Sequence, residues 1–548
     1  MGSVTAVMAR TCNYRDHRLQ GEHMNALAIT IMEQMPDNPD YIAAYEAATR
    51  GLASDPDNRK LQHAAVLALA RAGSTTFAEQ EYCRFGLQKI TDSEDMMALG
   101  GRLAKDRFLQ AIGRDPITHA QLSASLYENA FAATGGYYSG INAATMALMA
   151  GVPQDTVAQK VKSLRQHLPE TSALPAEDLY FIEATRAEAY LLEGDLMRAH
   201  RSLRIAVQHD PLNYTAHAST LRQFRMISDR LEQDAAWLND FNPPKSMHFC
   251  GHMFGTETGQ PTLSEDEVQH MCEDMSDLIQ KHDIGFGYGA LAAGSDILFA
   301  EALLAEGAEL NVILPVDIER FVAASVAPYG DNMQTRFEHC ISQATSIQIV
   351  TANAPWPDAG ANALAARVAM GKAVIRARHL STQAVQCAVS DGLEGQSGTA
   401  QHVQDWKASK HETHLINYTQ PRQTNSVFTT GFSQTSLSMR GDTKAPKVFS
   451  DAADAASAAL DDVWETGADL TVALVAGLGS QCDTLKARLT ALQRQALPGT
   501  VLADDTCAHL LALDPDEQFD IKYQGQVNLG GDNKERIYAV SPHWPPRV

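Results

Sequence analysis

Four glycines at 285, 287, 289 and 294 run straight into Ser295 and Asp296, in the stretch Gly285–Pro315. That combination suits anion chemistry. Glycines let the backbone approach a ligand closely or adopt positive φ. A turn that feeds a helix N-terminus also points free N–H groups and the positive end of the dipole at a phosphate. Ser295 and Asp296 are good N-cap types, so Asp296 serves either a ribose hydroxyl or the cap. His252, at the end of an earlier apolar run, touches phosphate or is held by backbone. The plain alternative for the whole stretch is a tight strand-to-helix turn of a parallel sheet.

The elements that position this turn follow from periodicity. Met247–Cys250 reads as a strand ending in Gly251-His252. A Ser264-Glu265-Asp266-Glu267 start opens a helix to about His282. Ile297–Leu304 gives an apolar helix face, Gly307 stops it, and Leu310–Leu314 is a buried strand. Further strands are expected at 346–351, 385–389 and 413–418, alternating with helices. Such alternation predicts a doubly wound parallel α/β domain over 245–420, whose ligands bind at the carboxyl ends of the strands. Residues 25–240 read as helical throughout, in alanine-rich amphipathic segments separated by Asp-Pro stops at 55–56, 115–116 and 210–211. This is the habit of a tetratricopeptide-like solenoid, a scaffold for a protein partner. Residues 1–24 read as an arm and 421–446 as a polar linker, and the chain closes with mixed strands and helices over 447–548.

Composition narrows the function. The 548 residues suffice for several domains, and the net charge of −22 argues against nucleic acid or an anionic membrane as a general partner. Eight cysteines without CxxC spacing fit free thiols rather than a disulfide framework or zinc site. No run of 18 apolar residues and no apolar h-region near residue 1 lead to the expectation of a cytoplasmic protein.

Three resemblances sharpen this. ATGGYYSGINAATMALMAG (133–151), AVLALARAG (65–73) and LGGRLAKDRFLQA (99–111) resemble the helical domain beside the TRAF-binding regions of stress-activated MAP3 kinases. The resemblance implies a regulatory TPR-like scaffold without kinase activity. YGALAAGSDILFAEALLAEGAELNVILP (288–315) resembles the DprA-type pattern of the SLOG superfamily, Rossmann-like domains that bind nucleotides or nucleotide-derived ligands. Carried over, Gly251, Gly289, Gly294, Ser295 and Asp296, with His252 beside them, form the binding set. The LOG branch of phosphoribohydrolases uses a PGGxGTxxE-type motif that this sequence lacks, so a sensor is favoured over a hydrolase.

RGDTKAPKVFSDAADAASAAL (440–460), DTLKARLTALQRQALPGTVLADDTCAHLL (483–511) and FDIKYQGQVNLGGDNKERIYAV (519–540) resemble a class III adenylate/guanylate cyclase domain. The resemblance places Asp442 at a metal position and Arg488 at the charge-neutralising position. Thr484 stands where an Asn is expected, and Phe428–Phe432 lacks the first metal carboxylate. One carboxylate cannot hold two metals, so this is an eroded, inactive ferredoxin-like α+β remnant able to pair with a second copy. Asp442 and Arg488 are then relics, and Mg or Mn is needed only if the domain is active. The expected protein is a multidomain signalling scaffold with a nucleotide ligand. The alternatives are an active cyclase acting on ATP or GTP and a nucleotide-processing LOG-like enzyme.

Overall fold

A computed structural model describes residues 41–110, 115–169, 176–254, 263–351, 354, 356–390, 398–417, 434–441, 445–466, 470–530 and 534–543. The expected arm at 1–24 lies outside the described residues. The first half is helical: α1 Tyr41–Ser54, α2 Arg59–Arg71, α3 Thr75–Arg84, α4 Glu94–Leu109, α5 Pro116–Thr134, α6 Tyr137–Met149, α7 Gln154–Arg165, α8 Ala176–Leu192, α9 Leu196–His209 and α10 Tyr214–Arg230. Short polar caps start several of them. Asn58, Asp115, Asp195 and Asn213 each accept a hydrogen bond from a backbone N–H in the first turn of the following helix. Small residues let the helices approach closely. A Cβ at Gly101 on α4 would sit 2.7 Å from the Tyr127 ring on α5. From Ser139 to Met149 every residue of α6 is buried, as expected of a helix ringed by others. Asn142 lies inside α6, which begins at Tyr137. Its Oδ1 accepts from Lys105 Nζ at 2.9 Å.

The second unit is the expected α/β fold. β1 Lys245–Cys250, β2 Ile284–Gly289, β3 Glu309–Leu314, β4 Ser346–Ile349, β5 Ala384–Ser390 and β6 Glu412–Asn417 form one sheet, in the order β4-β3-β2-β1-β5-β6. All pairings are parallel. The intervening helices are α11 Glu265–Lys281, α12 Ser295–Ala305, α13 Ile318–Ser325, α14 Asp331–Gln343, α15 Ala359–Leu380 and α16 Gly398–Ala408. Ser264 and Glu267 complete a capping box at α11. Helix α12 packs on one face of the sheet and α15 on the other.

The third unit adds β7 Gln434–Arg440, β8 Lys447–Phe449, α17 Ala452–Thr466, β9 Val472–Leu478, α18 Cys482–Gln493, β10 Val501–Asp504, α19 Asp505–Leu511, β11 Phe519–Val527 and β12 Glu535–Pro542. Its sheet runs β11-β12-β10-β9-β7-β8, antiparallel except for β9–β10. The expected linker at 421–446 thus contains a strand. β7 escaped the hydrophobic pattern because serines, Ser436 and Ser438, fill two of its buried positions, while alanine-rich α17 packs against it. Asp442 and the 428–432 segment lie outside the described residues, Asp442 next to the β7–β8 hairpin in sequence.

Gly101, against the Tyr127 ring, tests this packing in the array. Gly101→Ala should lower stability by about 1–3 kcal/mol through overpacking against Tyr127, measured by urea denaturation. An unchanged midpoint would mean that the ring can move aside.

Candidate functional site

The structure brings Gly251, His252, Gly289, Gly294, Ser295 and Asp296, the residues singled out from the sequence, together at the carboxyl ends of β1 and β2. What unites them is the packing of one loop on another. Ser295 donates to the His252 carbonyl twice, from its backbone N–H at 3.1 Å and from Oγ at 2.9 Å. A Cβ on Gly251 would lie 2.3 Å from the Ser295 Cβ, and one on Gly289 would lie 2.7 Å from the Phe249 carbonyl oxygen. Gly294 has φ +122° and is the N-cap of α12. A Cβ there would meet the Phe254 nitrogen at 2.5 Å. Ser295 and Asp296, expected as caps, are instead the first two residues of α12. The α12 N-terminus therefore spends one of its free N–H groups on the β1 loop rather than offering it to an anion.

Asp296 is 8% exposed. Its Oδ2 accepts from the Ala292 N–H at 3.3 Å, and its Oδ1 is buried without a hydrogen-bond partner. Burial pushes the carboxyl up to about 7, against the opposing pull of the Ala292 and Gly251 N–H groups. At neutral pH it is partly protonated and able to donate a hydrogen bond as well as accept one.

The accessible side of this cluster is the β1 loop, where Gly251 and His252 are half-buried and Met253 is 41% exposed. It faces the one place in the sheet where neighbouring strands lead their chains in opposite directions, between β1 and β5. Parallel α/β sheets open a crevice at such a switch point. On the β5 side stand Ser390 at the strand end and Gly398-Thr399 at the start of α16, with Asn362 of α15 next to Gly398. Sequence reasoning missed these residues. The signal was available, since Ser390-Asp391-Gly392 to Gly395-Gln396-Ser397-Gly398-Thr399 is also a strand, a glycine-rich turn and a helix start. Residues 391–397 lie outside the described residues.

An open cleft of about 530 Å³ elsewhere, in the helical array, is lined by Asp57, Arg59, Phe85, Lys89 and Asp92 among others. Its Arg59–Asp92 pair is 3.8 Å apart, with both side chains more than half exposed. This pair is solvated, so the strand-end cluster is the better candidate on chemical grounds.

Arg488 is paired inside the C-terminal unit. Its Nη2 contacts Asp504 Oδ2 at 2.9 Å and Glu535 Oε2 at 2.5 Å. Asp504 is fully buried; burial pushes its carboxyl up to about 7 despite Arg488 and the Cys507 N–H, which it caps. Its neighbour Asp505 is held by Lys372 and Gln348. These carboxylates are committed to protein partners and do not fit a two-metal site. Among the described residues no group of three or more His, Cys, Asp or Glu is arranged to hold a metal ion.

Comparison with known proteins bears on the helical half. Residues 40–147 match the model of the family described as TPR-S, Tetratricopeptide Repeats-Sensor. The array is tetratricopeptide-like. Among solved structures, a thermophilic TPR protein of Thermus thermophilus is similar at 14% identity, over 39% of this chain and 99% of that one, with a TM-score of 0.30. The MamA protein is similar at 14% identity, over 35% and 93%, with a TM-score of 0.22. No curated protein matches. No helix among the described residues is long and apolar enough to cross a membrane.

Two outcomes follow from these charges. The Asp296 carboxyl titrates near 3.8 when unfolded and near 7 when folded. The unfolded chain therefore releases this proton first, and the Asp296 contribution to stability falls as pH rises from about 4 to 7. Asp296→Asn should match the parent in thermal melts at pH 4 and melt higher at pH 8; equal melting at pH 8 would refute the assignment. Arg488→Ala leaves Asp504 buried and unpaired, and should cost about 3–5 kcal/mol in chemical denaturation. A variant of parental stability would mean that Arg488 is a free side chain.

Proposed function

We propose that the protein is a regulatory scaffold in which the tetratricopeptide-like array engages a protein partner. The Rossmann-like unit binds a nucleotide or nucleotide-derived ligand at the carboxyl ends of its parallel strands. The observation that carries this reading is the strand order, whose switch point between β1 and β5 lies beside the half-buried Gly251-His252 turn. Backbone N–H groups at the start of α16 and the His252 ring supply phosphate-type donors, in front of the buried Ser390 and Thr399. Asp296 lies under the loop and fixes its shape. The buried glycines hold the loops at contact distance and leave the binding surface to their neighbours.

The cyclase-like C-terminal unit is proposed to be non-catalytic. The argument is chemical, because an arginine fixed between Asp504 and Glu535 cannot also neutralise a transferring phosphate without breaking a buried pair. A LOG-like hydrolase draws no support from Glu301, which is paired bidentately with Arg336.

Mass spectrometry of small molecules released from the purified protein, followed by calorimetry with the molecule found, tests the ligand. His252→Ala should weaken binding at least tenfold with an unchanged circular dichroism spectrum. Absence of any nucleotide-type ligand, or binding indifferent to both His252→Ala and Gly398→Val, would overturn the proposal. Incubation with ATP or GTP and Mn²⁺ should yield no cyclic product.

A further inference from the structure

Helix α15 meets the C-terminal unit along one stripe. Arg367, Gly371, Ile375 and Arg378 recur at helical spacing, and each reaches that unit. Arg367 Nη1 donates to Gln434 Oε1 of β7 at 3.3 Å. At Gly371 an added Cβ would stand 2.0 Å from the His509 carbonyl oxygen of α19, so two helix backbones touch with nothing between them. Ile375 packs against apolar clusters built from both units. Arg378 Nη2 lies 3.5 Å from Glu517 Oε1.

Beside Gly371, Lys372 Nζ sits 3.6 Å from Asp505 Oδ1, and both side chains are 8% exposed. Asp505 also accepts from Gln348 Nε2 at 2.5 Å and from the Tyr538 hydroxyl at 3.3 Å. His509 on α19 stands 3.4 Å from its carboxylate. Burial alone would raise the Asp505 carboxyl, but Lys372, His509 and Gln348 hold it well below the usual range, whereas burial draws Lys372 down to about 8. The pair is ionised at neutral pH. A buried pair of this kind contributes little net stability but penalises every arrangement in which one partner is left alone.

The two ends of the helical array are fastened to this same assembly. At the start, Ile42 of α1 belongs to the apolar cluster of Leu437, Val475 and Leu529 in the C-terminal unit. Ser74 Oγ donates to the Pro498 carbonyl at 3.0 Å, and Leu497 packs on the cluster of Val66 and Leu69. At the far end, Arg222 and Arg225 of α10 donate to the carbonyls of His379 and Ser381, at 2.8 and 3.5 Å, where α15 terminates. Tyr214 meets Phe286 of β2 edge-on.

We infer that these contacts make a closed ring, with the α15–α19 seam as its latch. Parting α19 from α15 releases the C-terminal unit, and with it the first helix of the array, which packs on that unit through Ile42. The latch is therefore the point at which a change in the Rossmann-like unit reaches the far end of the scaffold. The inference stands on the described contacts and does not require the proposed ligand.

Amide hydrogen exchange on the full chain tests it. Gly371→Val forces the two backbones apart. Exchange should quicken at least tenfold in both α19 and α1, which lie at opposite ends of the sequence yet are joined by the ring, while α5 to α8 change less than twofold. A rise in α19 alone, or in neither, overturns the ring. If Gly371→Val loses protection throughout, Lys372→Met decides. It leaves the backbone contact in place and strands Asp505. At least a threefold rise at α19 and α1 together supports the latch, and any other pattern overturns it.

Discussion

Helix α15 is a long helix held among all three units, with its water-facing positions no more than half-exposed. None of its residues from Ala359 to Leu380 is exposed, although the segment carries Arg367, Lys372, Arg376, Arg378 and His379. A helix in that position must satisfy a sheet on one face and two further units on the others. Alanines and valines at 365, 368, 369 and 373 bring it onto the parallel sheet. Gly371 allows contact with α19 at backbone distance. The charged side chains are led to partners, because a buried charge without one costs several kcal/mol. Arg376 lies over the Phe286 ring and reaches Glu309. The relative placement of the units follows from this helix more than from the linkers between them.

The glycine-rich turn after β2 illustrates a related constraint. Glycine serves a ligand and a close-packed loop for the same reason, the missing Cβ. At Gly251, Gly289 and Gly294 the space is filled by Ser295, Phe249 and the 252–254 backbone. The turn's geometry is spent inside the protein, and Asp296 is left as a raised, half-satisfied carboxyl beneath it. The exposed part of the same loop is Met253, next to the half-buried Gly251 and His252.

Arg488 shows how a side chain of catalytic type can be absorbed into structure. The charge around it is paired inside the protein, Arg488 with Asp504 and Glu535 and, at the seam, Asp505 with Lys372, which favours one packing arrangement. Buried ionic groups suit that role, since their desolvation is offset only in one geometry.

Local periodicity determined a good deal. The alanine-rich 3.6-residue repeat marks out the helical array, with Asp-Pro following helices at 55–56 and 210–211, whereas Asp115-Pro116, expected as a stop, caps and begins α5. Alternation of short apolar runs with helices marks out six parallel strands, because each signal is set by neighbours within a turn or a strand. Strand β7 was illegible, since buried serines carry no hydrophobic period. The tertiary structure alone decided the contacts of individual residues. Whether Gly294 meets Phe254, whether Asp296 caps its helix or accepts from Ala292, and whether Arg488 pairs with Asp504 all depend on atoms outside their own helix or strand. The strand order, with its switch point between β1 and β5, and the meeting of α15 with α19 are also long-range facts. No local propensity encodes them, because they arise when separate apolar faces find one another.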